Sequence, residues 1–242
     1  MTLPSIPVAA ILAGGLGTRL ASVLSDRPKV LAPVDGRPFL DILLEQLAGQ
    51  GVRRAVLCLG VRADQVAAHL AAHPAPLETA LSIEPAPLGT AGALALARGL
   101  LGAGPALVMN GDTHVDFDLA GFLAAHRSGG AWGTILTVSV PDVSRYGTLD
   151  LAGDGTVLAF REKDPARTGA GWINAGICLM EAPLLDLVAG HESGSLERDV
   201  LAALPPGRLR AHRTLGGFID IGTPDSLAEA PDVIFGRKDA AR

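Results

Sequence analysis

Short apolar runs of strand length recur through the first half of the chain, at residues 8–13, 53–60, 79–83 and 105–110, and the stretches between them are amphipathic with helical period. Strands that alternate with helices predict an α/β fold built on a parallel sheet. After Pro38, the residues Phe39, Ile42, Leu43, Gln46 and Leu47 repeat on one helical face, and Gly49 and Gly51 end that run. Leu119, Phe122 and Leu123 do the same after Asp118. The second half is richer in strands, with runs at 132–140, 146–151, 156–161 and 172–180 and a turn signal at Gly153-Asp154-Gly155, so the sheet is expected to be mixed. A helix near 195–204 carries Leu196, Val200, Leu201 and Leu204, and Thr223-Pro224-Asp225 caps a last one. No internal repeat or linker divides residues 1–242, which read as one domain with loose ends at 1–6 and 235–242.

Composition narrows the classes. The chain has 242 residues, 48% of them hydrophobic, and a mean hydropathy of +0.35, which suits a sizeable core and argues against disorder. A net charge of −5 gives no general attraction to nucleic acid or to an anionic membrane, so the expected partners are small molecules. No apolar run approaches the ~18 residues of a membrane helix, and no secretory signal opens the chain, so a cytoplasmic protein is expected. Cys58 and Cys178 each sit in an apolar run and read as buried thiols. The oligomeric state, a homodimer included, stays open.

The candidate chemistry sits at the ends of the predicted strands, where ligands bind in open α/β sheets. The first strand runs into Gly14-Gly15-Leu16-Gly17-Thr18-Arg19-Leu20, followed by Arg27-Pro28-Lys29. Backbone N–H groups of such a turn can crowd a polyanion, and the Arg and Lys bring cations to the same end. The pattern is neither the Walker loop nor the dinucleotide fingerprint, whose third glycine position holds Leu20. After the third strand comes Glu84-Pro85-Ala86-Pro87-Leu88-Gly89-Thr90-Ala91-Gly92, and after the fourth Asn110-Gly111-Asp112. Asp220 lies in a later apolar run, Phe218-Ile219-Asp220-Ile221-Gly222. Singly, an aspartate after a strand reads as a turn former or a helix cap. Beside a phosphate loop, Asp112 and Asp220 become candidate ligands of Mg²⁺, which is commonly held by one or two carboxylates plus substrate phosphates.

Rarity adds weight. Only three of the 20 basic residues are lysine, Lys29, Lys163 and Lys238, so a lysine here is a choice against a background of arginine. The only asparagines are Asn110 and Asn174, and the only tyrosine is Tyr146. His69 and His73 are spaced i, i+4, but they lack the metalloprotease glutamate and read as structural.

The glycine loop with Pro28-Lys29, Pro87 to Gly92, Asn110-Gly111-Asp112, Tyr146-Gly147, Glu162-Lys163, Asn174-Ala175-Gly176 and Phe218 to Gly222 together resemble the sugar-1-phosphate nucleotidyltransferases, over residues 8 to about 230. The resemblance is strongest to the short guanylyltransferases that act on D-glycero-α-D-manno-heptose 1-phosphate, with mannose-1-phosphate guanylyltransferases next. It implies a three-layer α/β/α Rossmann-like fold with a mixed, mostly parallel central sheet, a nucleotide-binding part at about 8–115 and a sugar-binding part at about 116–230. It implies no C-terminal β-helix. The implied reaction joins a sugar 1-phosphate to the α-phosphate of a nucleoside triphosphate with release of pyrophosphate.

In that reaction the catalytic residues would be Arg19, Lys29, Asp112 and Asp220, with Mg²⁺ on the two aspartates. The nucleotide would lie against Leu12, Ala13, Gly14, Gly15, Gly17, Thr18, Arg19, Glu84, Pro87, Leu88, Gly89, Thr90 and Gly111. The sugar phosphate would meet Tyr146, Gly147, Glu162, Lys163, Asn174 and Gly176. A loop over the sugar side is expected around Asp164-Pro165-Ala166-Arg167. GTP is the expected donor, with a uridylyl- or thymidylyltransferase of a sugar 1-phosphate as the alternative, because an ionised Glu84 only accepts hydrogen bonds and guanine offers two adjacent donors where uracil offers one. Two other classes stand beside this: a sugar-nucleotide-binding regulator without turnover, which should have lost one of the charged residues, and a cytidylyltransferase of non-sugar phosphates, which should lack Leu88-Gly89-Thr90 and Glu162-Lys163.

Overall fold

The structure is a computed structural model and describes residues 6–15, 17–20, 23–24, 26–144, 146–161 and 166–237. Strand β1 (Val8–Ala13) runs into the glycine turn, after which β2 (Pro33–Val34) and β3 (Arg37–Pro38) form a small hairpin. Next come α1 (Phe39–Gly49), β4 (Arg54–Leu59), α2 (Ala63–Ala72), β5 (Glu78–Ile83), α3 (Gly89–Ala97) and β6 (Ala106–Asn110). The second half holds β7 (Thr113–Val115), α4 (Leu119–Gly129), β8 (Gly133–Val140), β9 (Thr148–Leu151), β10 (Val157–Arg161), β11 (Gly171–Met180), α5 (Ala182–Ala189), β12 (Leu209–Thr214), β13 (Phe218–Asp220) and α6 (Pro224–Ile234).

The main sheet is ordered β10, β9, β11, β6, β1, β4, β5, with β8 on β11 and β12 on β8. Around β1 the pairs are parallel, to β4 and β6, and β4 continues parallel to β5. Antiparallel pairing enters with β11, which borders β6, β8 and β9, so the expected mixed sheet forms, parallel through β6, β1, β4 and β5. Successive residues of β1 point to opposite faces. Ala9 and Ile11 join Phe39, Leu43, Leu47 and Phe122 of α1 and α4 in one buried cluster, whereas Ala10 joins Leu94, Leu184 and Val188 of α3 and α5 in the other. Helices therefore cover both faces of one sheet, the expected three layers. Among the described residues no helix is long and apolar enough to cross a membrane.

Three expectations change. In place of a regular helix at 195–204 stand a π turn at Leu196–Val200 and a single 3₁₀ turn at Leu201–Ala203. Leu196, Val200 and Leu201 are buried as the periodicity predicts, but Pro205 and Pro206 forbid continuation, and Leu204 is already extended. Strand β12 carries Arg210, His212 and Arg213 and lacks the apolar signal of a strand; it forms because it adds parallel to the edge of β8. The end of the chain is not loose through Arg237, whose guanidinium lies 2.6 Å from Asp35 in the β2–β3 turn, while residues 1–5 and 238–242 lie outside the described residues. Cys58 and Cys178 are buried and free, and burial, with the Glu84 charge added, pushes the Cys58 thiol up to about 12.

Candidate active site

The carboxyl ends of β1, β5 and β6 open into one cleft of about 450 Å³. Leu12, Ala13, Gly14, Gly15, Gly17, Arg19, Lys29, Glu84, Pro87, Gly89, Thr90, Gly111 and Asp112 all line it, together with Asn110 and Gly222. Residues from four separated stretches of sequence thus face one space, and a volume of this size suits a nucleotide.

Three backbone devices deliver the charges to its end. Gly111 N–H donates to the Leu12 carbonyl (2.9 Å), which welds the loop carrying Asp112 to the end of β1. A methyl group on Gly111 would sit 2.9 Å from Cβ of Ala13, so a side chain here would force the two loops apart. Strand β13 pairs antiparallel with β7, bringing Asp220 opposite Thr113, and Ile221 N–H donates to the Asp112 carbonyl (2.9 Å). Lys29 sits on a single 3₁₀ turn that starts at Pro28.

The resulting cluster is compact. Lys29 Nζ donates to Asp112 Oδ2 at 2.6 Å and lies 3.6 Å from Asp220 Oδ1. Gly222 N–H donates to Asp220 Oδ1 at 2.6 Å. A methyl group on Gly222 would meet Asp220 Oδ1 at 2.6 Å, Lys29 Nζ at 3.1 Å and the Arg19 guanidinium at 3.3 Å, so Arg19 completes the group and Gly222 is the space all three share. Burial, and then the Asp112 charge, raise the Asp220 carboxyl above the usual carboxylate range, against the opposing pull of Lys29, the Gly222 N–H and Arg19. Two carboxylates share one partly buried site with a single close ammonium, a donor set that suits a hard divalent cation accompanied by phosphates. Among the described residues no third His, Cys, Asp or Glu joins them.

The other end of the cleft is built differently. Glu84 Oε2 accepts from the backbone N–H of Leu88 (3.0 Å), and its Oε1 lies where a methyl group on Gly14 or Gly60 would be, 2.6 and 2.5 Å away. Gly14 and Gly60 are therefore glycines partly because Glu84 fills the space between them. The Pro87–Gly92 turn rests on a loop from the second half: Gly194 N–H donates to the Leu88 carbonyl (2.8 Å), Ala91 N–H donates to the Gly194 carbonyl (3.0 Å), and Leu196 N–H donates to Thr90 Oγ1 (2.7 Å). Gly89, at φ +71°, and Gly92 press on that loop, and a methyl group on Gly92 would stand 2.6 Å from the Glu192 carbonyl oxygen.

Of the expected sugar-side residues, Asn174 and Gly176 do not line the cleft; they line a small crevice beside it that shares Leu12 and Asn110 with the cleft. Asn174 Oδ1 accepts from Gly176 N–H (2.9 Å) where β11 bulges away from β8, and Gly176 takes a φ of +73°. Tyr146 packs edge-on against Phe218 of β13, with ring centroids 5.7 Å apart. Gly147 is tight, since a methyl group there would lie 3.1 Å from the Arg161 carbonyl. Glu162, Lys163, Asp164 and Pro165 lie outside the described residues, as do Leu16, Arg145 and the side chain of Thr18. His69 is structural as expected, paired with Asp41 at 2.7 Å and stacked on His73. Sequence reasoning missed Gly222 as the hub of the charged cluster and Glu197 as a wall of the crevice. Gly222 left a signal in its place two residues after Asp220; Glu197 left none, because the helical periodicity around it pointed only to core.

Comparison with known proteins bears on this geometry. The nucleotidyl transferase family matches residues 8–234. The D-glycero-α-D-manno-heptose 1-phosphate guanylyltransferase of Aneurinibacillus thermoaerophilus is 32% identical over 92% of this chain and 96% of its own length. The mannose-1-phosphate guanylyltransferase catalytic subunit beta of Drosophila pseudoobscura pseudoobscura is 36% identical over 89% of this chain, and the chain spans 59% of that relative's length. The crystal structure of HddC from Yersinia pseudotuberculosis superposes with a TM-score of 0.84 at 36% identity, covering 94% of this chain and 99% of that one, and a second structure of HddC is complexed with GMP-PN. With the family match spanning nearly the whole fold, the chain belongs to the nucleotidyl transferase family.

Proposed function

We propose that this protein transfers a guanylyl group from GTP to a sugar 1-phosphate, D-glycero-α-D-manno-heptose 1-phosphate in first place, giving a GDP-sugar and pyrophosphate. The observation that carries the reading is the convergence of Arg19, Lys29 and Asp220 around Gly222, with Asp112 bound to Lys29, at a glycine-lined cleft. A regulator without turnover would have no use for the complete set. The heptose reading is supported by a heptose 1-phosphate relative that matches this chain over nearly its own full length, and GTP by the GMP-PN complex of HddC.

An oxygen of the sugar 1-phosphate attacks the α-phosphorus in line; one P–O bond forms, the bond to the β-phosphate oxygen breaks, and pyrophosphate carries away the electron pair. The attacking phosphate is already ionised, so no general base is required and the work is positioning and charge neutralisation. Backbone N–H groups of Gly14, Gly15 and Gly17 and the Arg19 guanidinium hold the departing β- and γ-phosphates. Lys29 moves from its aspartate partners to the α-phosphate, where a compact ammonium meets developing charge. Asp112 and Asp220 hold Mg²⁺, which supplies Lewis-acid polarisation and a template for phosphate oxygens when bound. Glu162, Lys163, Asn174 and the backbone of Gly147 take the sugar phosphate and its hydroxyls, with Tyr146 as a wall.

The test is pyrophosphate release with five nucleoside triphosphates against heptose, mannose, glucose and N-acetylhexosamine 1-phosphates in Mg²⁺. GTP with the heptose is expected to be fastest. Mannose 1-phosphate is the second reading, favoured by the 36% identity to the mannose relative, and a fastest rate with it moves the assignment there. No release with any pair overturns the reading.

A further inference from the structure

The two oxygens of Asp112 each meet a donor. Lys29 Nζ donates to Oδ2 at 2.6 Å, and the Thr113 hydroxyl donates to Oδ1 at 3.2 Å. Asp112 and Lys29 line the cleft, whereas Thr113 is not among its walls and is only 4% exposed. The carboxylate is therefore gripped from the open side by an ammonium and from the buried side by a hydroxyl. A buried hydroxyl needs a partner, and this one finds it in the carboxylate. The position of Lys29 Nζ, 2.6 Å from Asp112 Oδ2 and 3.6 Å from Asp220 Oδ1, marks the space that the two carboxylates share. In the proposed reaction the two donors part company: Lys29 moves to the α-phosphate and releases Oδ2, while Thr113 stays on Oδ1.

Thr113 is itself fixed by the fold. It opens β7 and lies opposite Asp220 in the antiparallel pairing with β13, so it is next to one carboxylate in sequence and opposite the other in the sheet. The far end of β7 is held by α1, where Gln46 Nε2 donates to the Val115 carbonyl (2.7 Å), and by Asp116 N–H, which donates to the Gly217 carbonyl (2.9 Å). Branching at Cβ further limits the rotation of the threonine side chain. The last torsion of an aspartate is broad by comparison, so the Asp112 carboxylate takes its angle from its partners.

We propose that Thr113 is a positioning residue, whose hydroxyl fixes the rotation of the Asp112 carboxylate so that Oδ2 stays aimed at the space shared with Asp220 once Lys29 has left it. This rests on the reading above in which Asp112 and Asp220 hold Mg²⁺, and deepens it. An ionised carboxylate has about four lone-pair sites, so the bond from Thr113 leaves room for a cation on the same group. Hydrogen bonds to a metal ligand set its orientation, and losing one typically costs ~10–100-fold in metal affinity.

The experiment compares the full chain as wild type, Thr113→Val, which keeps the branched shape and loses the hydroxyl, and Thr113→Ser, which keeps the hydroxyl. Pyrophosphate release is followed over a Mg²⁺ titration at saturating GTP and sugar 1-phosphate. Thr113→Val should need ~10-fold more Mg²⁺ for half-maximal rate, with kcat at saturating Mg²⁺ within about threefold of wild type, and Thr113→Ser should stay within about threefold of wild type in both. Melting temperatures are then measured with GTP in EDTA and with GTP plus Mg²⁺, without sugar phosphate. The rise given by GTP in EDTA should be the same in all three proteins, whereas the further rise given by Mg²⁺ should shrink in Thr113→Val and persist in Thr113→Ser. Without ligands Thr113→Val should melt within about 4 °C of wild type, as expected for one lost hydrogen bond; if it does not fold, Thr113→Ala carries the same comparisons. A valine variant with the wild-type Mg²⁺ requirement and an undiminished Mg²⁺-dependent rise, one slowed by the same factor at every Mg²⁺ concentration, or a serine variant that behaves like valine overturns the positioning role while the Mg²⁺ assignment stands. A wild type whose turnover and melting both ignore Mg²⁺ overturns the two together.

Discussion

In the proposed reaction the two ends of the cleft, the Glu84 end facing the base and the Lys29 end facing the phosphates, solve opposite problems. At the base-facing end the polar side chains are already satisfied by backbone: Glu84 by Leu88 N–H, Thr90 by Leu196 N–H, and the Pro87–Gly92 turn by Gly194. At the phosphate end two carboxylates gather around Lys29 with the Arg19 guanidinium close by, and burial and Asp112 raise the Asp220 carboxyl against the pull of both cations. The first end is shaped by its own backbone before any ligand arrives, with one Glu84 oxygen held by Leu88 N–H and the other lying between Gly14 and Gly60. The second end gathers charge, and in the proposed reaction a cation and phosphates would meet it there, so its information lies in electrostatics. A surface built for recognition can hold satisfied groups; a site that must stabilise transient charge keeps them poised.

The largest effect should come from removing that charge. Asp112→Asn and Asp220→Asn are each expected to lower turnover by at least ~10²-fold with folding nearly unaffected, because each keeps the shape and deletes a cation ligand. Steady-state pyrophosphate release over a Mg²⁺ titration measures it. Near-wild-type rates at saturating Mg²⁺ would show that the aspartates serve only to anchor Lys29.

Next in size is Lys29→Arg, expected to cost ~10-fold or more in kcat. The 2.6 Å contact with Asp112 and the 3.6 Å approach to Asp220 fit a point charge at the end of a flexible stem, and a planar guanidinium would pair with one carboxylate side-on. Since this chain writes arginine for nearly every other cation, equal rates would mean that the phosphate end reads charge alone and not its geometry.

At the base-facing end the expected change is one of preference. Glu84→Gln can still accept from Leu88 N–H, so the turn should survive, but the guanine donors lose an ionised acceptor. The ratio of kcat/KM for GTP over UTP should fall by about tenfold, equivalent to a lost charged hydrogen bond of ~1–3 kcal/mol. If the ratio is unchanged, Glu84 is a spacer between Gly14 and Gly60, and shape alone selects the base.

What could be read from the sequence divides along the same line. The parallel half was legible because each strand and helix has its own periodicity, as at β1 and α1, and because the charged residues sit immediately after strands. Glycine motifs were legible as motifs but not in their reasons: Gly89 and Gly92 read as a nucleotide turn, whereas their tightest neighbours are the backbone at Glu192 to Gly194, about a hundred residues on in the sequence. Strand β12 was hidden because its existence depends on the free edge of β8 and not on its own polar text. The π turn was hidden because buried positions at Leu196 and Val200 fit a regular helix as well, and only the Thr90 cap and Pro205 decide otherwise.

The smallest effect is the sharpest test of the electrostatics at the phosphate end. In the free protein the Asp220 carboxyl is raised, so the folded state gives up this proton less readily than the unfolded chain does. Stability from this group is then highest below the ordinary carboxylate range and declines as pH rises through the raised value, because the unfolded state releases its proton first and gains from doing so. At pH 7, without nucleotide or Mg²⁺, Asp220→Asn should therefore melt at or above the wild-type temperature, by about 2 °C if the relief is worth ~1 kcal/mol. The advantage should vanish near pH 3, where both states of the wild type are protonated. Adding GTP and Mg²⁺ should reverse the order, since wild type gains binding free energy that the variant lacks. The amide side chain in Asp220→Asn can still accept from Gly222 N–H through its carbonyl oxygen, so the turn loses no bond in the exchange. A variant that melts several degrees below wild type at pH 7 would show that Asp220 holds the β13 turn together as an ionised anchor, and the contrast between the two ends would fail at its central residue.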